Sequence, residues 1–575
     1  MVMKTMKRKY LLGVLSVFII FLLFFMRDDN NIQVTHVNIL NLSISLVSDE
    51  ELNNLANQSV IKGYSQVKIR IFENYTFNAN KTIKVGNTGV VYVPVLYSPR
   101  IHFNDIFIEN AELLNASILV SERGSILLLK LKIPKGTRAG IRFEYQGSIR
   151  EQICARVGII RTLFVKYESP DEIEMCPEMF LPEISNGFLE TKIILELPQS
   201  WRTWTGIIVS NSGVLEPKAQ LNGRLIFTSR GLFIPFLILG DFKMMRYNVN
   251  DVKVEIYFPK YLSLNVSSRY EDVVGDIIRT FSSWYMPYPY QNLTIIFSSN
   301  MMRMTGINKN SPILITANAT PSLLAHEISH SWFGGYAEFG NIDESLATYS
   351  EMSYMIRFYN EHPEELENYA RYNLTTIQKV LDFVEERVLK YNHDYPKPLS
   401  QVYRTWIPNS TIRNAIMYDK GAFVFRSLQF VLGNETFFKG LRELLRECHN
   451  KECNLTDVQN VFERVSGQNL DWFFKEWFYT AKVPDYDVRN LSLEEKGGKY
   501  LLTFEIIDKN NFTMPLEVEV KTPTKSFIKK VWINGTARVE FELDKKPTEI
   551  ILDPNEWMVN ENKKYNVDEI EITIE

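Results

Sequence analysis

His326-Glu327-Ile328-Ser329-His330 sets two imidazoles four residues apart, with a carboxylate next to the first. On a helix this spacing stacks both rings on one face, about one turn (~6 Å) apart, so that both can reach a single metal ion. Glu327 lies roughly 100° around the same helix, near enough to touch a water on that metal without being a ligand. Imidazole suits zinc, and a catalytic zinc site uses three protein ligands plus a water whose pKa falls to about 7. The chemistry available to such a group is metal-assisted activation of water.

Two helices must position it. Thr320 and Pro321 offer an N-cap and a proline at the first helical position, and Gly334-Gly335 offers a stop. Between them Leu324, Ile328 and Trp332 fall on the face opposite the histidines, as expected of a helix buried on one side. The next helix offers candidates for a third ligand. Helical spacing returns at Asp343, and Glu344 and Glu351 stand two turns apart on one face. Glu344 is the expected ligand, Glu351 an acid that orients a neighbouring group, and Glu338 the fallback ligand.

The run Ala325–Gly334, followed by Asp343-Glu344-Ser345-Leu346-Ala347-Thr348-Tyr349-Ser350-Glu351, resembles the aminopeptidase N family of zinc metallopeptidases, gluzincins with a thermolysin-like catalytic domain. The gap between the second histidine and the glutamate is shorter here than is usual in that family, with only residues 331–343 between them. Met417-Tyr418-Asp419-Lys420-Gly421-Ala422 resembles the family's Tyr-Glu-Lys-Gly segment, which implies that Tyr418 donates to the oxyanion of a tetrahedral intermediate. Trp284-Tyr285-Met286-Pro287-Tyr288-Pro289-Tyr290 and the strand from Leu293 to Phe297 resemble the family's Pro-Tyr-Pro turn. The likeness spans roughly residues 165 to 560. It implies one Zn2+ on His326, His330 and Glu344, with Glu327 as general base and a peptide as substrate.

One family feature is altered. The Gly-X-Met-Glu-Asn segment, whose glutamate binds the substrate's free α-amine, is best matched by Gly306-Ile307-Asn308-Lys309-Asn310. Gly306 and Asn310 are kept, but Lys309 replaces the glutamate. Two like charges about 4 Å apart repel by several kcal/mol at low effective dielectric. Either another carboxylate such as Glu338 or Asp343 anchors the amine, or the protein acts on internal or blocked peptides. A catalytically inactive surface binding or adhesion protein on a peptidase scaffold is the alternative class, motivated by Lys309 and the short connector.

The chain opens with Lys4, Lys7, Arg8 and Lys9 and then an apolar run from Tyr10 to Met26, followed by Arg27-Asp28-Asp29. This reads as a cytoplasmic basic segment (1–9) and an uncleaved transmembrane signal anchor (10–26), with the rest of the chain outside the cell membrane. Asn-X-Ser/Thr recurs from Asn41 and Asn57 to Asn511 and Asn534, about three times more often than composition alone would give, which points to N-linked glycans. In that compartment the local pairs Cys154 with Cys176 and Cys448 with Cys453 are expected disulfides.

The 575 residues exceed one core, and the net charge of −4 with 23% charged residues shows no basic stripe for nucleic acid. Short alternating runs such as Val67-Lys68-Ile69-Arg70-Ile71 make residues 27–247 a β-rich domain. Helical signals dominate 248–482 around the metal motif, and strands return over 483–575. The expected fold is multidomain α+β: an N-terminal β-rich, saddle-like domain, a mainly helical thermolysin-like domain and a small C-terminal β-sandwich, preceded by one transmembrane helix. No residues then remain for the helical domain with which larger family members continue, so an open cleft is expected.

Overall fold

The computed structural model describes residues 34–38, 42–48, 61–97, 101–148, 187–210, 213–259, 264–297, 320–363 and 376–561 apart from 122–123, 216, 231–235, 241, 406 and 408, together with residues 51 and 54 and short strands between 152 and 184, at 304–306, 313–316, 564–566 and 572–574. The apolar run 10–26, Cys176 (the expected partner of Cys154), Lys309 and Asn310 lie outside the described residues. Among the described residues no helix is long and apolar enough to cross a membrane. The chain divides into two compact units, Met1–Phe242 and Lys243–Glu575.

The first unit is built of strands. In β1 (Ile61–Ile71) the residues Val67, Ile69 and Ile71 are buried while Lys68 and Arg70 face solvent, the two-residue alternation of a half-buried strand. It pairs antiparallel with β2 (Thr76–Val85) and parallel with β3 (Gly187–Glu196), inside an eight-stranded sheet. A five-stranded sheet centred on the pairing of Gly89–Tyr97 with Gly124–Ile133 accompanies it.

The second unit holds the motif. Its five-stranded mixed sheet runs, in order, Phe242–Val249, Val252–Pro259, Asn292–Phe297, Ile313–Thr316 and Met304–Gly306, the last antiparallel to its neighbour. Helix α1 (Leu264–Trp284) forms the crossover that the parallel pairing of Val252–Pro259 with Asn292–Phe297 requires. Leu293, Ile295, Ile296 and Phe297 are all buried, as in a strand covered on both faces. Helices follow: α2 (Pro321–Ser329), α3 (Ile342–Glu361) and α4 (Ile377–Asp394). A π-helical stretch, Asn414–Lys420, runs directly into α5 (Gly421–Leu432), and α6 (Asn434–Glu447) and α7 (Leu455–Ser466) complete the layer.

Aromatic groups fasten the turn after α1 to both motif helices. Tyr285 Oη lies 2.8 Å from Ser350 Oγ of α3, Tyr288 Oη lies 2.9 Å from Ser331 Oγ, and Trp332 Nε1 donates to the Met286 carbonyl at 3.0 Å. The Cys448–Cys453 disulfide closes the turn between α6 and α7. Its loop also braces the connector between α2 and α3: Cys453 N–H donates to the Glu338 carbonyl at 2.8 Å, and Tyr336 stacks on His449 with ring centroids 4.0 Å apart.

The C-terminal strands form one eight-stranded sheet whose two halves meet through a single register pair, Asn534 with Thr536, across Gly535 at φ 72°. Arg426 of α5 ties this segment to the helical layer, donating from Nε to the Glu556 carbonyl at 2.6 Å and from Nη2 to the Asn555 carbonyl at 2.8 Å.

The tightest helix contact lies where α5 begins. A Cβ on Gly421 would overlap Ser345 Oγ and sit 3.0 Å from Tyr403 Oη. Ser345 Oγ is already committed, lying 2.7 Å from Tyr403 Oη and donating to the Met417 carbonyl at 2.6 Å. Gly421→Ala gains about 1 kcal/mol of helix propensity but costs about 1–3 kcal/mol in overpacking, and more if Ser345 loses its partners. The expected result is net destabilisation, read as a lower urea midpoint with an unchanged m-value.

Candidate metal centre

Helix α2 starts as its sequence prescribes. Thr320 is extended (φ −68°, ψ 149°), its side chain accepts from Leu323 N–H, and Pro321 occupies the first turn. Its end comes earlier than the glycines suggest. His330 is the C-cap, and Ser331 and Trp332 N–H donate to carbonyls three residues back, so the last turn tightens. His330 keeps helical angles (φ −60°, ψ −14°), which leaves its ring on the same side as that of His326. Gly334 then reverses the chain at φ 99°, and Gly335 is crowded by the His330 carbonyl and the Tyr290 hydroxyl, where no side chain fits. Leu324, Ile328 and Trp332 are buried in the core.

The three expected ligands converge on one point. Glu344 Oε2, from the first turn of α3, lies 3.4 Å from His326 Nε2 and 3.4 Å from His330 Nε2. The three donor atoms all lie within 4.8 Å of one another and could hold a metal ion. The remaining ring nitrogens are oriented by other groups. His326 Nδ1 lies 3.2 Å from Glu351 Oε2, and His330 Nδ1 lies 2.9 Å from the Phe333 carbonyl. Both contacts fix the tautomer that presents Nε2 to a cation. Glu351 is itself held by the Ser322 hydroxyl at the start of α2. Two imidazole nitrogens and one carboxylate oxygen, with both imidazoles locked from behind, fit zinc as a donor set.

Protonation follows from burial and pairing. Burial pushes the His326 imidazole down, but its hydrogen bonds to the Glu344 and Glu351 carboxylates outweigh it and raise the group to about 10. Burial would raise the Glu344 carboxyl, yet its contacts with both histidines hold it well below the usual carboxylate range. The Glu327 carboxylate is buried beside the pair and favours the charged form of both rings. Burial raises Asp343, which accepts from Phe339 N–H at 3.0 Å, to about 7.

Tyr418 stands on the π-helical stretch with its ring nearly parallel to that of His326, at a 12° interplanar angle and 5.9 Å between centroids. Its ring is thus packed beside that of His326. Gly306 lies on the edge strand of the five-stranded sheet, paired with Ile313. The other acidic cluster among the described residues, Asp382, Glu385 and Glu556, contains no imidazole. Sequence reasoning missed the Phe333 carbonyl, a main-chain group with no sequence signature, and the pairing of half-exposed Arg387 with buried Asp419, 2.5 Å apart. It also missed Ser322, whose place in the first turn of α2 was a usable signal.

Two outcomes follow. Glu351→Ala should lower zinc affinity about 10–100-fold in a competition titration against a chromophoric chelator, because His326 loses the acceptor that aims it. Apparent zinc affinity should also climb as pH rises from about 6.5 toward about 10. Bound metal must displace the proton that His326 holds over that range in the metal-free protein. The same shift stabilises the metal-free fold below the unfolded histidine pKa of about 6.5, a contribution lost as pH rises through the folded value.

Residues 273–477 match the model of the peptidase family M1 domain. The chain is 21% identical over 348 residues to aminopeptidase N of Streptomyces lividans, covering 56% of this chain and 38% of that protein. It is 20% identical over 492 residues to aminopeptidase 2 of Candida albicans, covering 79% of this chain and 51% of that protein. The chain therefore spans between about two-fifths and half the length of these two curated relatives. The crystal structure of Legionella pneumophila aminopeptidase A in complex with aspartic acid superposes with a TM-score of 0.51 at 13% identity, covering 88% of this chain and 61% of that one, a likeness of fold. The match to the peptidase family M1 domain falls on the very helices that bring His326, His330 and Glu344 together.

Proposed function

We propose that this protein is a zinc metallopeptidase that hydrolyses peptide bonds in an aminopeptidase-like manner. The observation that carries the reading is the convergence of two Nε2 atoms and Glu344 Oε2, with each imidazole oriented from behind. His326, His330 and Glu344 would hold the zinc, which when bound would supply Lewis acidity toward a carbonyl and acidify a water. Glu327 takes the proton from that water and later delivers it to the leaving amine nitrogen. The Tyr418 hydroxyl donates to the carbonyl oxygen as negative charge develops there. Glu351 and the Phe333 carbonyl keep the two rings in the productive tautomer throughout.

Substrate choice rests on the sequence. With Lys309 where the family resemblance expects the amine-binding glutamate, either Glu338 or Asp343 takes over that role or the enzyme accepts internal or blocked peptides. The apolar run 10–26 behind Lys4, Lys7, Arg8 and Lys9, together with the many sequons, supports a membrane-anchored, glycosylated ectodomain. An inactive binding protein on the same scaffold is opposed by the preserved orienting contacts, which serve no purpose for a surface that only adheres.

Glu327→Gln should retain stoichiometric zinc and lose at least about 10²-fold in kcat; near-normal turnover in that variant removes Glu327 from the mechanism. Zinc-loaded protein should cleave an aminoacyl arylamide and lose that activity to a chelator. Comparing it with the N-acetylated arylamide reads the amine requirement directly: strict preference for the free amine rules out blocked substrates, whereas equal turnover rules out a replacement anchor.

A further inference from the structure

Tyr418 is flanked by residues that are each fastened to a neighbouring helix. The Met417 carbonyl accepts from Ser345 of α3, the helix that carries Glu344. Asp419 pairs with Arg387 of α4 at 2.5 Å. Lys420 is completely buried, and its Nζ donates to Asn392 Oδ1 of α4 at 2.7 Å and to the Ala481 carbonyl at 2.9 Å. Asn392 Nδ2 donates to the same carbonyl at 2.9 Å, which closes a three-membered polar network.

A buried ammonium is costly unless it is well partnered, so a purely structural core would favour an apolar side chain at 420. The local backbone is unusual as well. Residues 414–420 follow the wide π-helical path and not the α-helical one of the segment that follows. A π-turn spaces its side chains differently from an α-turn, and such turns are rare and frequently lie at functional sites. Left free, this stretch would relax toward α-helical hydrogen bonding and rotate Tyr418 away from the His326 ring.

We infer that Lys420, through Asn392 and the Ala481 carbonyl, is a positioning residue that holds the π-helical stretch and thereby keeps the Tyr418 hydroxyl aimed at the metal centre. This inference deepens the proposed peptidase reading and rests on it for the role of Tyr418. Lys420 touches neither substrate nor metal; its effect passes through the placement of one phenol.

The test is a double-mutant cycle on the zinc-loaded full chain with an aminoacyl arylamide. Lys420→Met keeps an unbranched side chain, one atom shorter, and removes the donor. It should keep zinc content and cooperative unfolding, lower kcat on the order of tenfold to a hundredfold, and leave KM within about threefold. In a Tyr418→Phe background the same change should cost less than about twofold, because the group it positions is gone. Asn392→Ala, which removes the acceptor from another helix, should reproduce this pattern if Lys420→Met fails to fold. An equal loss in both backgrounds overturns the inference, as does full activity in the folded variants. A crystal structure of the folded variant gives a readout independent of turnover: the Tyr418 ring should leave its near-parallel stack on His326, and an unmoved ring overturns the inference. A wild-type protein without peptidase activity would sink the functional reading alone, since the ring position still judges the clamp.

Discussion

The site depends on one electrostatic arrangement, the meeting of a carboxylate from α3 with two imidazoles of α2 in a largely buried space. Neither helix could bury its polar groups alone. An isolated buried carboxylate or imidazolium costs several kcal/mol, so each is tolerable only because the other is present or because a cation replaces the protons. The mutual shifts of His326 upward and Glu344 downward are the same fact seen from each partner. The architecture around them exists to keep the two helices from sliding apart.

That restraint is distributed. Tyr285 and Tyr288 reach from the turn after α1 to Ser350 of α3 and to Ser331 just past α2. The short connector between the helices is braced from outside by the Cys448–Cys453 loop through the Glu338 carbonyl and the Tyr336–His449 stack. A connector with few residues has little conformational freedom to lose, and the brace removes part of what remains. Such rigidity suits a site whose ligands must be held within about half an ångström of their working positions.

A second layer of polar contacts surrounds the metal-facing side chains. Ser322 holds Glu351, Glu351 holds His326, and Arg387 neutralises Asp419 one residue from Tyr418. Burial raises Asp419 to about 7 despite that arginine, with Glu351 adding to the rise. The acids behind the centre are thus coupled through short distances, and removing one changes the charge felt by the others. The π-helical stretch belongs to this layer, because it carries Tyr418 beside the His326 ring on backbone that departs from α-helical geometry.

The sequence by itself determined the candidate ligand set and the local elements. His326, Glu327 and His330 were legible because helical spacing alone puts both rings on one face, and Thr320-Pro321 marks the start of their helix by side-chain capping and fixed φ. Glu344 and Glu351 were legible for the same reason, being two turns apart on the next helix. The alternation of Val67, Ile69 and Ile71 announced the strands of the first unit. Only the tertiary structure decided which acid meets which nitrogen, that a main-chain carbonyl aims His330, that the 448–453 loop braces the connector, and that Tyr418 rides on a π-helix held by Lys420. These contacts join residues far apart in the chain, and their energy comes from burial and geometry that exist only once the helices have packed, so no periodicity in the sequence records them.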